Sequence, residues 1–303
     1  MCHCSFSGSC LFVGTVQTHI LSKVSRPEIP LKIAGGGTIP LADWTSTKGG
    51  FRVRFAMNTD DIKKAQKLRY QIFNVELKEG LDTAHATGRD EDEFDAVCQH
   101  LIVEEIHSGQ IVGTYRMQSG AQALCNRGYY CEREFEFSVF EPVRFEFIEL
   151  GRACVARHAR NLLVISLLWR GIAHYAFSAG VRYLAGCSSL TSQTPAEGVA
   201  LFEVFARENL LSPDFPTVPL RHLDCRLLAK GKTNAPKTPK LMQAYLHLGA
   251  KICSPPAFDA EFKTIDFLTV LDLHKISHAH LLKLLGLEDS ASLQRDDQGM
   301  TSL

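Results

Sequence analysis

Hydrophobic and polar positions along the chain switch between two periods. At 51–57 (FRVRFAM) apolar residues alternate with arginines, as in a strand with one buried face. Asn58, Thr59, Asp60 and Asp61 then offer a helix N-cap and first-turn acids. Behind them Ile62, Ala65, Arg69, Ile72, Phe73 and Glu76 recur at helical spacing along one side. Two charged members on that apolar side are unusual. HLIVEEI (100–106) and QIVGTYRMQ (110–118) read as strands joined by a turn at His107, Ser108 and Gly109. After an irregular aromatic stretch, YYCEREFEFSVF (129–140), a strand is predicted over 143–156 and an apolar helix over 162–180, ending at Gly180. A strand over 182–190, helices over 195–209 and 238–249, a strand over 264–273 and a short helix near 277–286 follow.

That order predicts a mixed α/β fold (an α+β arrangement) with one central mixed sheet flanked by helices. Residues 1–50, rich in Gly, Ser, Thr and Pro, read as a poorly ordered N-terminal extension, 51–286 as one domain, and the polar 287–303 as a flexible tail. No repeat of solenoid or propeller period is present.

Composition narrows the function classes. Lys+Arg and Asp+Glu both number 33, so no global basic footprint points to nucleic acid. Charge is uneven locally: 89–95 (RDEDEFD) is acidic and 152–160 is basic. The ten cysteines form no CxxC pair, and the Cys2, His3, Cys4 and Cys10 group lacks the regular spacing of a structural zinc site. His274 and His278, with His280 beyond, are a weak metal pattern, so no metal is expected. Free thiols in apolar runs suit a reducing cytoplasm. The leader has no basic n-region. The apolar run 162–180 carries Arg170 and His174 near its middle, costly in lipid, so a buried helix is expected rather than a span.

The chemistry concentrates at FIELGRACVARHARN (147–161), where a strand bearing Glu149 runs into a loop bearing Arg157, His158 and Arg160 and then into a helix N-terminus. A helix N-terminus with cationic neighbours suits a phosphate or pyrophosphate, such as the phosphopantetheine arm of coenzyme A or of an acyl carrier protein. The plain alternative is a solvated turn with Glu149 and Arg152 satisfying each other. No GxSxG elbow, no GxGxxG opening a helix and no Walker A sequence is present.

QKLRYQIFNVEL (66–77), DEFD (92–95), VGTYRM (112–117) and ELGRACV (149–155) together resemble the ornithine-lipid N-acyltransferase branch of the GNAT superfamily, related to the acyl-homoserine-lactone synthases. The matching positions are Arg69 and Phe73, Asp92 and Asp95, Gly113 and Arg116, and Glu149 and Arg152. Gly151 stands where the lactone synthases have Ser, and 237–273 looks like the ornithine-lipid branch's C-terminal signature, with Pro239, Leu241, Tyr245, Asp259, Phe262 and Asp266 in step. The resemblance covers about residues 52–285.

It implies a GNAT-like fold and transfer of a fatty acyl group, typically 3-hydroxylated, from acyl carrier protein (or coenzyme A) to the α-amine of an amino acid, most simply ornithine. No tightly bound cofactor is implied. Glu149 is the candidate base for the amine, or else a sheet-holding partner of Arg152 or Arg116. Residues three apart on a regular strand face opposite sides, so a direct pair with Arg152 would need a bulge. Backbone donors around Cys154, Val155 and Ala156 would meet the oxyanion, and Arg152, Arg157 and Arg160 the phosphopantetheine. Cys154 as a covalent nucleophile is the lesser option. Asp90, Asp92 and Asp95 either grip a cationic substrate or pair with Arg69 and Arg116 beside the acyl pocket. Phe73, Phe94, Phe135, Phe137 and Ile148 either line that pocket or are plain core. Lys230, Lys232 and Lys237, with the arginines, would face the acidic carrier protein. A lipid product would allow a peripheral contact with the inner membrane face, although no amphipathic segment stands out. The competing readings are a synthase of N-acyl amino acid or lactone signals and a non-catalytic GNAT-like binding module.

Overall fold

A computed structural model describes residues 41–277, together with residues 279 and 282. The first 40 residues, the predicted tail and most of the predicted helix near 277–286 lie outside the described residues. Nine strands form one sheet: β1 (Thr45–Lys48), β2 (Phe51–Phe55), β3 (Gln99–Glu105), β4 (Ile111–Ser119), β5 (Phe147–Val155), β6 (Tyr183–Leu190), β7 (Lys251–Ile252), β8 (Ala257–Asp259) and β9 (Thr264–Asp272). Their order is β1-β2-β3-β4-β5-β6-β9-β7, with β8 also on β9. Only β5 and β6 are parallel, which makes the sheet mixed.

Seven α-helices accompany the described sheet: α1 (Thr59–Tyr70), α2 (Ala84–Thr87), α3 (Gly120–Cys125), α4 (Leu162–Ala179), α5 (Pro195–Arg207), α6 (Cys225–Leu228) and α7 (Lys240–His247). Asn58 caps α1, its side chain accepting from the Asp61 amide at 3.0 Å, and Asn161 caps α4 by accepting from Val164 at 3.0 Å. Gly180 closes α4 at φ +63°, a left-handed cap that glycine adopts without a Cβ clash. Val164, Leu167, Leu168 and Ile172 of α4 sit in the main core with Val53, Leu101, Tyr115 and Met117 of the sheet. Each such side chain contributes roughly 1.5–3 kcal/mol by leaving water. This is the long apolar helix of the sequence, and it serves as core. On β4 the alternate residue Arg116 points away from that cluster toward Arg69 and Asp95, so α1 covers the opposite face.

Three local features depart from the sequence reading. The sheet begins earlier than residue 51, because the polar Thr45–Lys48 pairs along β2. The strand predicted from 143 starts at Phe147: Ser138–Glu146 is a run of 3-10 turns around Pro142, which has no N–H for a ladder, and Phe145 is 64% exposed. Finally, α1 runs on as a seven-residue π-helix, Gln71–Leu77, whose wider turn buries Ile72, Phe73 and Asn74 consecutively. Three inward residues in a row do not fit one stripe of an ordinary α-helix, and π-turns are often found at functional sites.

Candidate active site

The sheet is split by its one parallel pairing. β5 and β6 share three register pairs, Phe147–Tyr183, Ile148–Leu184 and Glu149–Ala185, and then separate. At the vertex the carbonyl oxygen of Leu150 lies where a Cβ on residue 186 would be, so only Gly186 fits. On the other edge of β5 the register slips by one: Thr114 faces Cys154, but Arg116 faces Gly151. Arg152 and Ala153 therefore oppose Tyr115 alone, and Arg152 takes φ +50°. This β-bulge bends the strand away and removes backbone from the ladder beside the opening.

The wedge holds a cleft of about 370 Å³. Its chemistry changes along its length. Leu184 faces Leu271 across β6 and β9, and five residues farther on Ser189 faces Asp266, a separation of roughly 17 Å at strand rise. Leu150, Leu184, Leu271, Trp169 and Tyr245 line the vertex end, while Ser189, Thr191, Glu79, Asp259 and Asp266 line the far end. One cleft thus offers an apolar channel and an acidic terminus.

The acids at 90, 92 and 95 are elsewhere, in a buried lattice with three arginines. Arg69 donates Nε to Asp90 at 2.7 Å and both terminal nitrogens to Asp95 at 2.8 Å. Arg116 donates to Asp92 and to Asp95, the latter at 3.0 Å. Arg152 lies 3.0 Å from Asp92 and 3.3 Å from Asp90. Three cations meet three anions, so these aspartates order the 80–95 loop rather than grip a substrate. Burial alone would raise Asp95, but the hydrogen bonds and charges of Arg69, with Arg116 behind, outweigh it and hold the carboxyl well below the carboxylate range.

Other site residues are placed as follows. Glu149 borders the cleft, but it pairs with neither Arg152 nor Arg116. Its carboxylate accepts from Gln118 Nε2 at 2.8 Å, Tyr130 N at 2.9 Å and Cys131 N at 2.8 Å, anchoring the 130–131 loop. Three hydrogen bonds thus fix its position and orientation at the cleft wall. Arg152, predicted in an anion grip, is committed to the lattice and stacks over Phe262 at 4.5 Å. Arg160 is held by Glu76, whereas Arg157 and His158 are exposed. Val155 pairs with Gly113, and the Ala156 amide donates to Val112 at 2.7 Å, so the backbone predicted to meet an oxyanion is used by the sheet. The freed backbone lies at Arg152 and Ala153 instead. Cys154 is packed with Ile72, Phe73 and Phe262, and burial pushes its thiol up to about 12, which removes the thiolate a nucleophile needs. Phe73 and Arg116 do line the cleft. Phe94, Phe135, Phe137 and Ile148 are core. His274 is exposed, and the leader cysteines, His278 and His280 lie outside the described residues.

The acidic end is the part the sequence reading missed. Glu79 is buried, and desolvation raises it to about 7 despite a hydrogen bond from Thr191. Asp266 rises to about 6, mainly through burial and then through the nearby Asp259, against a lowering hydrogen bond from Ser189. Glu134, just behind, is pushed well above its ordinary value by burial and by Asp266 and Asp259. Carboxyls displaced toward neutrality in a cleft are the usual mark of a working site. Asp259 and Asp266 stood in the C-terminal motif, but only the pairing of β8 with β9, and of β9 with β6, brings them into the cleft with Glu79.

Residues 68–170 match the family model described as Acetyltransferase (GNAT) domain. The chain is 34% identical over 248 residues to the L-ornithine N(alpha)-acyltransferase of Agrobacterium fabrum, covering 77% of this chain and 84% of that protein. It is 33% identical over 258 residues to the protein of the same name from Rhizobium meliloti, covering 80% and 86%. Among solved structures it overlays on the AHL synthase LasI with a TM-score of 0.44 at 13% identity, covering 78% of this chain and 95% of that one. With curated relatives above 30% identity matched over more than four fifths of their length, the chain belongs to the L-ornithine N(alpha)-acyltransferase family and is an acyltransferase that acts on an amino acid's amine.

Proposed function

We infer that the enzyme moves a 3-hydroxylated fatty acyl group from the thioester of acyl carrier protein to the α-amine of ornithine, giving a lyso-ornithine-type lipid. The observation that carries this reading is the polarity gradient of the cleft, apolar at the vertex and acidic at the far end. The vertex suits an acyl chain, and the acidic end suits an acceptor with two amines. The thioester would lie by the bulge at Arg152 and Ala153, where freed backbone can face the developing oxyanion.

The amine must be neutral to attack. Among the cleft carboxyls Glu79 suits this step, buried with a hydrogen bond from Thr191 and raised to about 7. The amine nitrogen attacks the thioester carbonyl carbon, and its proton passes to Glu79. The tetrahedral centre collapses with loss of the C–S bond, the amide forms, and the departing thiolate takes the proton. Support for a carrier-protein donor comes from Lys237 and Lys240, exposed on either side of Pro239, which lines the cleft with Leu241. Lys230 and Lys232 are exposed on the same segment.

The test compares the same 3-hydroxyacyl group on carrier protein and on coenzyme A, with ornithine as acceptor. Carrier protein should give the higher kcat/KM, with the advantage shrinking as salt rises. Equal rates at every salt concentration would remove the carrier protein from the assignment.

A further inference from the structure

The fold contains two acidic clusters of opposite design. Asp90, Asp92 and Asp95 are matched by three arginines. Glu134, Asp259 and Asp266 are not: among the described residues no arginine, lysine or histidine ion-pairs with any of them. Glu134 and Asp266 are each only 4% exposed. One oxygen of each, Glu134 Oε1 and Asp266 Oδ1, has no hydrogen-bond partner. A Glu134 oxygen, an Asp266 oxygen and Cys187 Sγ lie within 4.8 Å of one another.

Uncompensated carboxylates at this depth are costly unless a proton or a cation joins them. The charged and titratable neighbours cannot supply a cation. Cys187 is a thiol in contact with Cys131 Sγ and the Glu134 carboxylate, and Asp259 is a third acid, fixed by the Phe262 amide at 2.8 Å. Arg152, the cation of the neighbouring lattice, has its guanidinium 4.9 Å from the Tyr130 ring centre and is committed to Asp90 and Asp92. Asp259, Asp266 and Cys187 all line the cleft, and Glu134 sits behind them.

We propose that Glu134 and Asp266, with Asp259 beside them, form the seat for the acceptor's side-chain ammonium, so that the enzyme selects amino acids ending in a primary amine. This deepens the proposed function and rests on it. An ammonium carries three donors and one charge; Asp266 and Asp259 line the cleft and would meet it directly, with the Glu134 carboxylate buried behind them. Placing that group against the acid pair leaves the α-amine to face the bulge and Glu79. A neutral side chain of equal length offers the acid cluster neither charge nor donor and forgoes that attraction, which is how a polar site rejects an isostere.

The experiment measures kcat and KM for N-acylation of ornithine and of norvaline, which has the same carbon chain without the terminal amine, using 3-hydroxyacyl carrier protein at saturation. Wild type should favour ornithine by at least about 100-fold in kcat/KM. In Asp266→Asn and Glu134→Gln that ratio should collapse to within about tenfold, mainly through the KM for ornithine. Calorimetric titration of wild type with each amino acid alone supplies a second readout should a variant fail to fold, with heat of binding expected for ornithine only. Equal use of the two acceptors by wild type, or a ratio unchanged in folded variants, overturns the seat while leaving acyl transfer standing. Zinc copurifying at one equivalent, with activity lost to chelator, overturns it in favour of a metal at Glu134, Cys187 and Asp266. Failure of wild type to acylate any amino acid overturns the underlying reading as well.

Discussion

Asp95→Asn probes the arginine–aspartate lattice at its centre. Asp95 accepts from two nitrogens of Arg69, from Arg116 at 3.0 Å and from Gln66 at 2.9 Å, and it is 5% exposed. The amide keeps the shape but removes one of three negative charges, and its NH2 turns donors toward guanidinium donors. Breaking a buried ion pair on one side costs about 3–5 kcal/mol. For a domain of this size that corresponds to a fall of roughly 6–20 °C in Tm. Urea denaturation at pH 7 measures the cost, with Arg160→Ala as control. The Arg160–Glu76 pair is partly exposed, 42% and 27%, and should contribute no more than about 1 kcal/mol. Acid supplies a second arm. The folded Asp95 carboxyl lies well below its ordinary value of 3.8, so its stabilisation is fully present above that value. It is lost as pH falls toward the folded value, because the unfolded chain binds the proton first. The gap between wild type and Asp95→Asn should therefore narrow from pH 6 to pH 3. A cost below about 1 kcal/mol at pH 7 would refute the lattice as a structural element.

Three further substitutions address the cleft. Wild-type activity should rise as pH increases through about 7, and Glu79→Gln should lower kcat by about 10²–10⁴ and abolish that rise; a retained pH limb would assign it to another group. Gly151 lines the cleft, and a Cβ added there meets nothing within 4 Å, so Gly151→Val should unfold at the wild-type denaturant midpoint yet lose activity about 100-fold by displacing the thioester. Gly186→Ala forces the Leu150 carbonyl aside at the vertex and should cost about 1–3 kcal/mol; a wild-type midpoint would show that the strands part elsewhere.

Most regular elements were legible because their periodicity is strong. The alternation at Phe51–Phe55 and the capped apolar run at Leu162–Ala179 gave a strand and a helix with nearly the observed limits. Thr45–Lys48 was not legible, since an edge strand of Thr, Ser and Lys carries no apolar alternation. Val143, Arg144, Phe145 and Glu146 do alternate, yet Pro142 and the tie from Tyr129 Oη to the Arg144 carbonyl hold them in helical turns. The pairing of Asp90, Asp92 and Asp95 with Arg69 and Arg116 was one of two alternatives that the sequence and its resemblance left open, and the structure shows those ion pairs. The third arginine was not legible, because Arg152 reaches the lattice only through a bulge at positive φ. Glu149 looked catalytic as a lone acid on an apolar strand, and only tertiary structure reveals that two backbone amides and Gln118 occupy it. The acidic end of the cleft joins Glu79 to Asp259 and Asp266 of the C-terminal motif, far along the chain from it, and no local pattern connects the two.

The central claim is acyl transfer to the α-amine of ornithine. Tandem mass spectrometry of the product formed from ornithine labelled with ¹⁵N at the α position and 3-hydroxyacyl carrier protein tests it most directly. The cleft assignment predicts one amide, with the acyl chain on the labelled nitrogen and the terminal amine free. Acylation of the terminal nitrogen, release of free fatty acid alone, or an intact thioester in the presence of folded enzyme would contradict it.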